Sequence, residues 1–329
     1  MKVGIDVSPL AQTRAGTARH LKALLRGLRV EPDLQVRTLA FGGPGRASTL
    51  VRELGWYPLV LPRMAAHQEL DVLHCPSYRA PFRSRVPLVV TVHDLAVFRH
   101  PEAFPPWTRT YSRATVGRVV RGARRVIAVS EFTRTELVEL LRVREERIRV
   151  VPNAVDPVFS AEGPRAEGEY VLTVGTLEPR KNLERLAEAT RKVGVELRVV
   201  GARGWGGVSA NGSRVRWLGE LPDDALARLY RGAAAVAYPS LYEGFGIPVL
   251  EAMACGAPVV TSAGGATEEV AGGAAVLVDP LDPASIAAGL EQALARRDEL
   301  RGQGLGRAAG FTWDAVARET AAVYREAAS

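Results

Sequence analysis

The chain has 329 residues, 47% of them hydrophobic and 24% charged, with a formal net charge of +7 and an isoelectric point near 9.7. That length suits two separately cored domains, and no apolar run reaches the roughly 20 residues that cross a bilayer. Two cysteines, Cys75 and Cys255, fall in different halves, which excludes a disulfide framework or a cysteine metal site and suits a reducing cytoplasm.

From Met1 the chain enters a strand pattern at once, Val3–Val7, with no signal peptide expected ahead of it. Short β-branched runs then alternate with helical patterns, the rhythm of parallel sheets built from βαβ units. In the first half strands are expected at Val3–Val7, Val36–Ala40, Val72–Cys75, Leu88–Val92, Val126–Val129 and Ile148–Val151. In the second they are expected at Tyr170–Val174, Glu196–Val200, Val215–Leu218, Ala235–Tyr238, Pro258–Thr261 and Ala275–Val278. The polar, Gly- and Pro-containing segment 160–169 reads as a linker. The expected architecture is therefore α/β, with a first Rossmann-like domain over 1–160 and a second over 161–310. Residues 311–329 form a final helix, and ligand binds at the carboxyl ends of the strands.

After the first strand, Ser8–His20 contains one glycine, Gly16, before a helix expected over His20–Leu28. His93 and Asp94 close the strand Leu88–Val92. Between Trp107 and Arg125 stand six arginines (109, 113, 118, 121, 124 and 125) and no acid. Two readings of that stretch stand: a solvated helix face, or a surface meeting anionic lipid or a diphosphate-linked acceptor. Nucleic acid is set aside as a partner, because no nucleic-acid motif is found and aromatics are only 6%. Ser130, with Thr133 behind it, suits a helix cap, and Asp223-Asp224 a helix start.

Two segments carry chemistry. Val174-Gly175-Thr176-Leu177-Glu178-Pro179-Arg180-Lys181-Asn182 leaves a strand and opens a helix. Its planar guanidinium and mobile ammonium suit a diphosphate. Tyr238–Gly256 places a strand end, a glycine loop and Pro248 at a helix start, where loop amides and the helix dipole favour a phosphate. Glu243 and Glu251 bracket the loop, and no single helix can carry both across Gly244, Gly246 and Pro248. Read locally, Glu251 is a first-turn acid and Glu243 a solvated loop acid.

Glu243, seven residues, Glu251, with Gly244-Phe245-Gly246 after the first acid, resembles the signature of retaining GT-B glycosyltransferases of family 4 (glycosyltransferases group 1). The resemblance implies two facing Rossmann-like domains with a C-terminal helix crossing back to the first. It implies donor-sugar contact for Glu243 and for Gly244, Phe245, Gly246 and Ile247, and ribose contact for Glu251. Diphosphate contact falls to Gly175, Arg180 and Lys181. Gly16 is expected to approach the donor phosphate, although many members have two adjacent glycines where this chain has Ala15-Gly16. His93 takes the place of a residue near the donor sugar, and Glu269, in Gly264–Val270, that of an acid near the nucleotide. The implied activity is hexose transfer from a nucleotide-diphosphate sugar to a saccharide or lipid-linked acceptor, with no metal and no cofactor. A nucleotide-sugar sensor, an epimerase on the same fold and a nucleic-acid-binding protein are the alternatives.

Overall fold

The computed structural model describes residues 1–11, 16–43, 45–204 and 214–329. The chain forms two compact units, Met1–Asn153 with Trp313–Ser329, and Ala154–Thr312. In the first unit, β1 (Lys2–Asp6), β2 (Gln35–Leu39), β3 (Val72–Cys75), β4 (Leu88–Val92), β5 (Arg125–Ala128) and β6 (Ile148–Val150) form one sheet in the order β2-β1-β3-β4-β5-β6. In the second, β7 (Tyr170–Val174), β8 (Glu196–Val200), β9 (Val215–Gly219), β10 (Ala235–Tyr238), β11 (Val259–Ser262) and β12 (Val276–Val278) form another, in the order β12-β11-β10-β7-β8-β9. Every ladder is parallel. All twelve segments expected as strands are present, their ends shifted by no more than one residue. The reason is physical: helices cover both faces of a parallel sheet, so its central strands are apolar throughout. Strands β3, β4, β7 (up to its last residue), β10 and β11 are buried end to end, whereas the edge strand β2 is mostly exposed.

The helices of the first unit are α1 (Gly16–Leu28), α2 (Arg46–Val51), α3 (Leu61–His67), α4 (Ala96–Arg99), α5 (Pro106–Gly122) and α6 (Glu131–Leu141). The second contains α7 (Leu183–Val193), α8 (Asp223–Gly232), α9 (Ile247–Ala254), α10 (Ala266–Ala271), α11 (Pro283–Ala295) and α12 (Arg297–Ala308). Ser130 caps α6 by accepting from the Thr133 amide at 3.0 Å, and Asp223 and Asp224 lie in the first turn of α8. The helix expected from His20 starts earlier, at Gly16. Residues 12–15 of the loop before it, Ala15 included, lie outside the described residues.

The final helix, α13 (Trp313–Ala328), belongs to the first unit. Its buried side chains, Val316, Ala317, Thr320, Ala321, Val323 and Tyr324 among them, recur at the three- and four-residue spacing of one helix face. Gly27 of α1 lets this face come close, since a Cβ there would lie 2.8 Å from that of Ala317. The Tyr324 hydroxyl lies 2.7 Å from His74 Nδ1 in β3, whose Nε2 is 2.9 Å from Thr91 Oγ1 in β4.

The segment 160–169 does not hang free. Arg231 of α8 donates from Nε to the Pro164 carbonyl at 2.8 Å and from Nη1 to the Ser160 carbonyl at 3.1 Å, and the Ala166 amide donates to the Arg228 carbonyl at 2.9 Å. The boundary between the units lies upstream of it, at Asn153/Ala154.

In the second sheet the chain runs outward from β7 to β8 and β9, then returns to place β10 on the other side of β7. Loops leaving β7 and β10 thus diverge in opposite directions, the switch point at which parallel sheets open a crevice. Its wall depends on Gly201, after β8, whose φ is +149° and whose would-be Cβ lies 2.0 Å from the Gly175 carbonyl oxygen. Gly201→Ala is expected to destabilise the protein by about 2 kcal/mol or more. Urea unfolding followed by circular dichroism checks this; an unchanged midpoint contradicts it.

Candidate active site

At the switch point the loop after β7 and the loop after β10 are stitched together. Pro179–Lys181 makes one 3-10 turn and Asn182 takes the left-handed conformation, φ 59°, ψ 33°, to open α7. The Leu241 amide donates to the Arg180 carbonyl at 2.8 Å. Asn182 Nδ2 donates to the carbonyls of Pro239, at 3.0 Å, and Pro280, at 2.6 Å. Asn182 is therefore a brace, and it sets Arg180 and Lys181 against the second loop.

There the charges converge. Arg180 Nη1 donates to Glu243 Oε2 at 3.0 Å and to the Tyr242 carbonyl at 2.7 Å, while Nη2 donates to Glu178 Oε1 at 2.5 Å. Lys181 Nζ donates to Glu243 Oε1 at 2.6 Å and lies 2.6 Å from the Tyr238 hydroxyl. Both oxygens of Glu243 thus hold a cation, and the side chain is only 11% exposed. It is not the solvated acid that its loop position implies. Burial alone pushes its pKa up, but the Lys181 and Arg180 charges overcome that and hold it at about 2. Burial opposes the charge on Lys181, yet Glu243 and Tyr238 raise its pKa, and the Tyr238 hydroxyl is pushed up to about 12, first by burial. At neutral pH Glu243 and Lys181 are both charged and the Tyr238 hydroxyl keeps its proton. Of the three N–H bonds of Lys181, one remains without a partner among the described residues.

The glycine loop follows. Gly246 has φ 108° and ψ 50°, and a Cβ there would sit 2.9 Å from Thr267 Cγ2 of α10, so the tight approach requires glycine. Phe245 is buried and meets Phe311 edge to face, with ring centroids 6.0 Å apart. Gly244 is buried beside it, and Ile247 begins α9 with Pro248 in the first turn. The helix closes at Gly256 (φ +72°), whose amide bonds to the Met253 carbonyl at 2.9 Å while that of Ala257 bonds to Ala252 at 2.9 Å.

Glu251 corrects the local reading. It lies beyond the first turn of α9, which contains no acid, and is buried with Oε2 accepting from the Tyr230 hydroxyl of α8 at 2.9 Å. Gly175, φ +153°, packs against Lys181, since a Cβ there would lie 3.2 Å from Lys181 Cε. In α10, Glu268 accepts from the Gly264 amide at 2.5 Å, and the Glu269 carbonyl accepts from Arg307 Nη2 at 2.9 Å. Glu178 and Tyr238 stand inside the motifs, yet no role for them follows from the sequence. Glu178 meets Arg180 two residues along the same loop, whereas Tyr238 meets Lys181 because β7 and β10 are neighbours.

In the first unit, His93 follows β4, and Nε2 lies 3.1 Å from the Pro76 carbonyl. A carbonyl only accepts, so Nε2 carries the proton and Nδ1 presents a lone pair with no partner among the described residues. Burial lowers the His93 pKa more than Pro76 and Asp94 raise it. Its ring stands 5.0 Å from that of His20, edge to face; His20 Nδ1 is 2.8 Å from Asn153 Oδ1, and Trp313 flanks the pair at 5.5 Å. Burial and the neighbouring His93 hold His20 neutral, at about 3. Asp94 Oδ1 accepts from the Ala96 amide at 3.0 Å, a turn-forming role. Gly16 is exposed at the start of α1.

Two parallel sheets, a glycine loop at a helix start and paired cations at a switch point are the features expected of a GT-B glycosyltransferase. The chain matches the models of Glycosyl transferases group 1 over residues 156–304 and of Glycosyltransferase Family 4 over residues 14–159. It is 32% identical to the O-antigen chain mannosyltransferase B of Escherichia coli, across 99% of this chain and 100% of that one. It is also 32% identical to the MMP alpha-(1->4)-mannosyltransferase of Mycolicibacterium hassiacum, over 73% of this chain and 66% of that one. The protein belongs to the group 1 glycosyltransferases. Its fold is similar to sucrose-phosphate synthase from Thermosynechococcus elongatus (TM-score 0.78, 20% identity) and to Anabaena HepE in complex with UDP and glucose (TM-score 0.73, 20% identity). Each alignment covers 98% of both chains.

The buried carboxylate yields a pH dependence with a definite sign. A carboxyl depressed from 4.5 to about 2 contributes stability above its unfolded value and loses it as pH falls through the folded one. Glu243→Gln is expected to cost roughly 3 kcal/mol at pH 7, the gap from the native protein narrowing between about pH 4.5 and 2. Chemical denaturation across that range measures it, and a gap independent of pH refutes it.

Proposed function

We propose that this glycosyltransferase is a retaining hexosyltransferase. It moves a hexose from a nucleotide-diphosphate sugar to a saccharide or lipid-linked acceptor in bacterial surface polysaccharide or glycolipid synthesis. The observation that carries the reading is the Arg180–Lys181–Glu243 cluster at the switch point of the second sheet. The mannosyltransferase relatives support mannose as the hexose. The HepE structures with UDP and glucose, and with UDP-glucose, support a nucleotide-sugar donor.

In this reading the free N–H of Lys181, the Arg180 guanidinium and the amides of Gly244, Phe245 and Gly246 receive the donor's diphosphate. Gly175 gives Lys181 its room, and Ile247 starts the helix whose dipole faces the phosphate. Glu243 fixes both cations and meets sugar hydroxyls; Glu251, steadied by Tyr230, meets the ribose. The bond from the anomeric carbon to the β-phosphate oxygen breaks, and the acceptor oxygen bonds to that carbon on the same face. The acceptor's proton passes to the departing phosphate. Charged contacts of about 2–4 kcal/mol each in the transition state supply much of the acceleration without a protein base or a metal ion. The first unit supplies the acceptor surface, Gly16 at the start of α1, and His93, whose Nδ1 accepts from a sugar hydroxyl.

Contact with an anionic membrane belongs to the same proposal. The arginine-rich stretch is not one uniform surface. Arg125 pairs with Glu326 and Arg121 donates to the Leu141 carbonyl, whereas Arg113 and Arg118 are exposed and Trp107, also on α5, is 61% exposed. Among the described residues no helix is long and apolar enough to cross a membrane.

A panel of nucleotide-sugars is expected to contain one that stabilises the native protein by about 2.7 kcal/mol at a hundred times its Kd, and leaves Arg180→Ala/Lys181→Ala unmoved. Thermal unfolding reads this. Equal shifts in both proteins remove the diphosphate from this cluster, and product of inverted configuration, seen by NMR, removes retention. Donor bound but never consumed with any acceptor returns the sensor; donor converted without acceptor returns the epimerase. His93→Ala is expected to lower kcat about 10- to 100-fold with KM nearly unchanged; steady-state kinetics with that donor decide it.

A further inference from the structure

We infer that the first unit carries a second anion site, at the opposite edge of its sheet from the loops that bear the sugar chemistry, and that its ligand is a multivalent phosphate group. A pocket of about 280 Å³ lies at the amino-terminal edge of β4 and β5. Arg83, Arg85, Arg124 and Arg147 line it, and no acid does. These arginines lie in the connections that enter three neighbouring strands: 83 and 85 before β4, 124 before β5, and 147 before β6.

The pocket is built rather than incidental. The Pro87 carbonyl accepts from the Leu73 amide at 2.9 Å, the Leu88 carbonyl from the Arg124 amide at 2.8 Å, and Ser84 Oγ from the Val86 amide at 3.1 Å. Gly122, the last residue of α5, lets the loop sit close, since a Cβ there would lie 3.2 Å from the Phe82 carbonyl oxygen.

The charges around it are sorted. Neighbouring arginines have their own carboxylates: Arg125 and Arg149 share Glu326, Arg134 pairs with Glu131 and Glu145, and Arg144 with Glu146. Among the described residues the side chains of Arg83, Arg85 and Arg124 have no hydrogen bond or ion pair, and Arg147 has only the Arg121 carbonyl at 3.0 Å. That carbonyl belongs to the end of α5, whose dipole amounts to about half a negative charge. It cannot balance four cations. Guanidinium forks match phosphate oxygens two at a time, and Phe82, 41% exposed at the rim, is one ring and no stacking platform for bases. The chemistry selected is a phosphate-bearing group, whether free in solution or on a lipid headgroup.

The test uses the full chain carrying Arg180→Ala and Lys181→Ala, so that the second unit's phosphate-binding side chains are absent, with inorganic pyrophosphate as the calorimetric probe. Adding Arg83→Ala, Arg85→Ala and Arg124→Ala, all exposed positions, is expected to weaken binding about tenfold or more, with an unchanged melting temperature. In a second arm, the native chain and the triple variant are sedimented with vesicles of phosphatidylglycerol in phosphatidylcholine. Loss of pyrophosphate binding alone assigns the pocket to a soluble anion; loss of both assigns it to a headgroup. Pyrophosphate and vesicle binding that are both absent, or both indifferent to the three arginines, overturn the site. None of these results bears on sugar transfer; the vesicle arm also reads the membrane contact proposed for the arginine-rich stretch, which contains Arg124, whereas the pyrophosphate arm reads the pocket alone.

Discussion

One buried carboxylate governs the second unit. Glu243 takes both Arg180 and Lys181 out of solvent, and a third group, Glu178, completes the balance. Two cations and two anions sum to zero, so the cluster is a fixed array of dipoles rather than a positive patch. Isolated buried charges would shift to their neutral forms, whereas paired and hydrogen-bonded ones remain ionised at a heavy desolvation cost. The return is preorganisation: the cations are already oriented and partly dehydrated when charge develops nearby. Every brace in the region serves that geometry, from Asn182 reaching two carbonyls to the left-handed turn at Gly246.

The buried histidines of the first unit solve a related problem without charge. His20, His74 and His93 are all held below their ordinary pKa by burial, and each spends a ring nitrogen on a neutral partner. A neutral imidazole keeps one lone pair, which an imidazolium lacks. The three rings thus add no charge near neutrality, and the charge buried in this unit lies elsewhere, in Asp6 and Arg52 and in the Glu53–Arg79 and Glu136–Arg99 pairs.

How much of this the sequence showed depends on what each signal reports. Strands were legible because parallel sheets covered on both faces leave apolar runs with no alternation. The start of α1 was not, since Gly16–Arg19 carries little apolar pattern. The turn of π-helix over Arg52–Val60, with Pro58 inside it, has no local signature at all. Composition marks segment 160–169 as a linker because it reports polarity but not the Arg231 bonds that bind it to α8. In the site, motif spacing picked out Glu243, Arg180 and Lys181, while their mutual pairing rests on the adjacency of β7 and β10, a property of topology. The local reading of Glu251 fails because α9 starts at Ile247, which puts the acid beyond the first turn, and the packing of α8 against α9 brings Tyr230 to it.

The place of α13 has a consequence in time. A ribosome delivers β1 to β6 first, yet the helix that packs on them and supplies Tyr324 to His74 comes only after the whole of Ala154–Thr312. At about 5–20 residues per second, the first sheet waits roughly 10–30 s for its last layer. During that interval the faces that α13 covers are open, and the second unit, continuous in sequence, is free to finish folding ahead of the one that began before it.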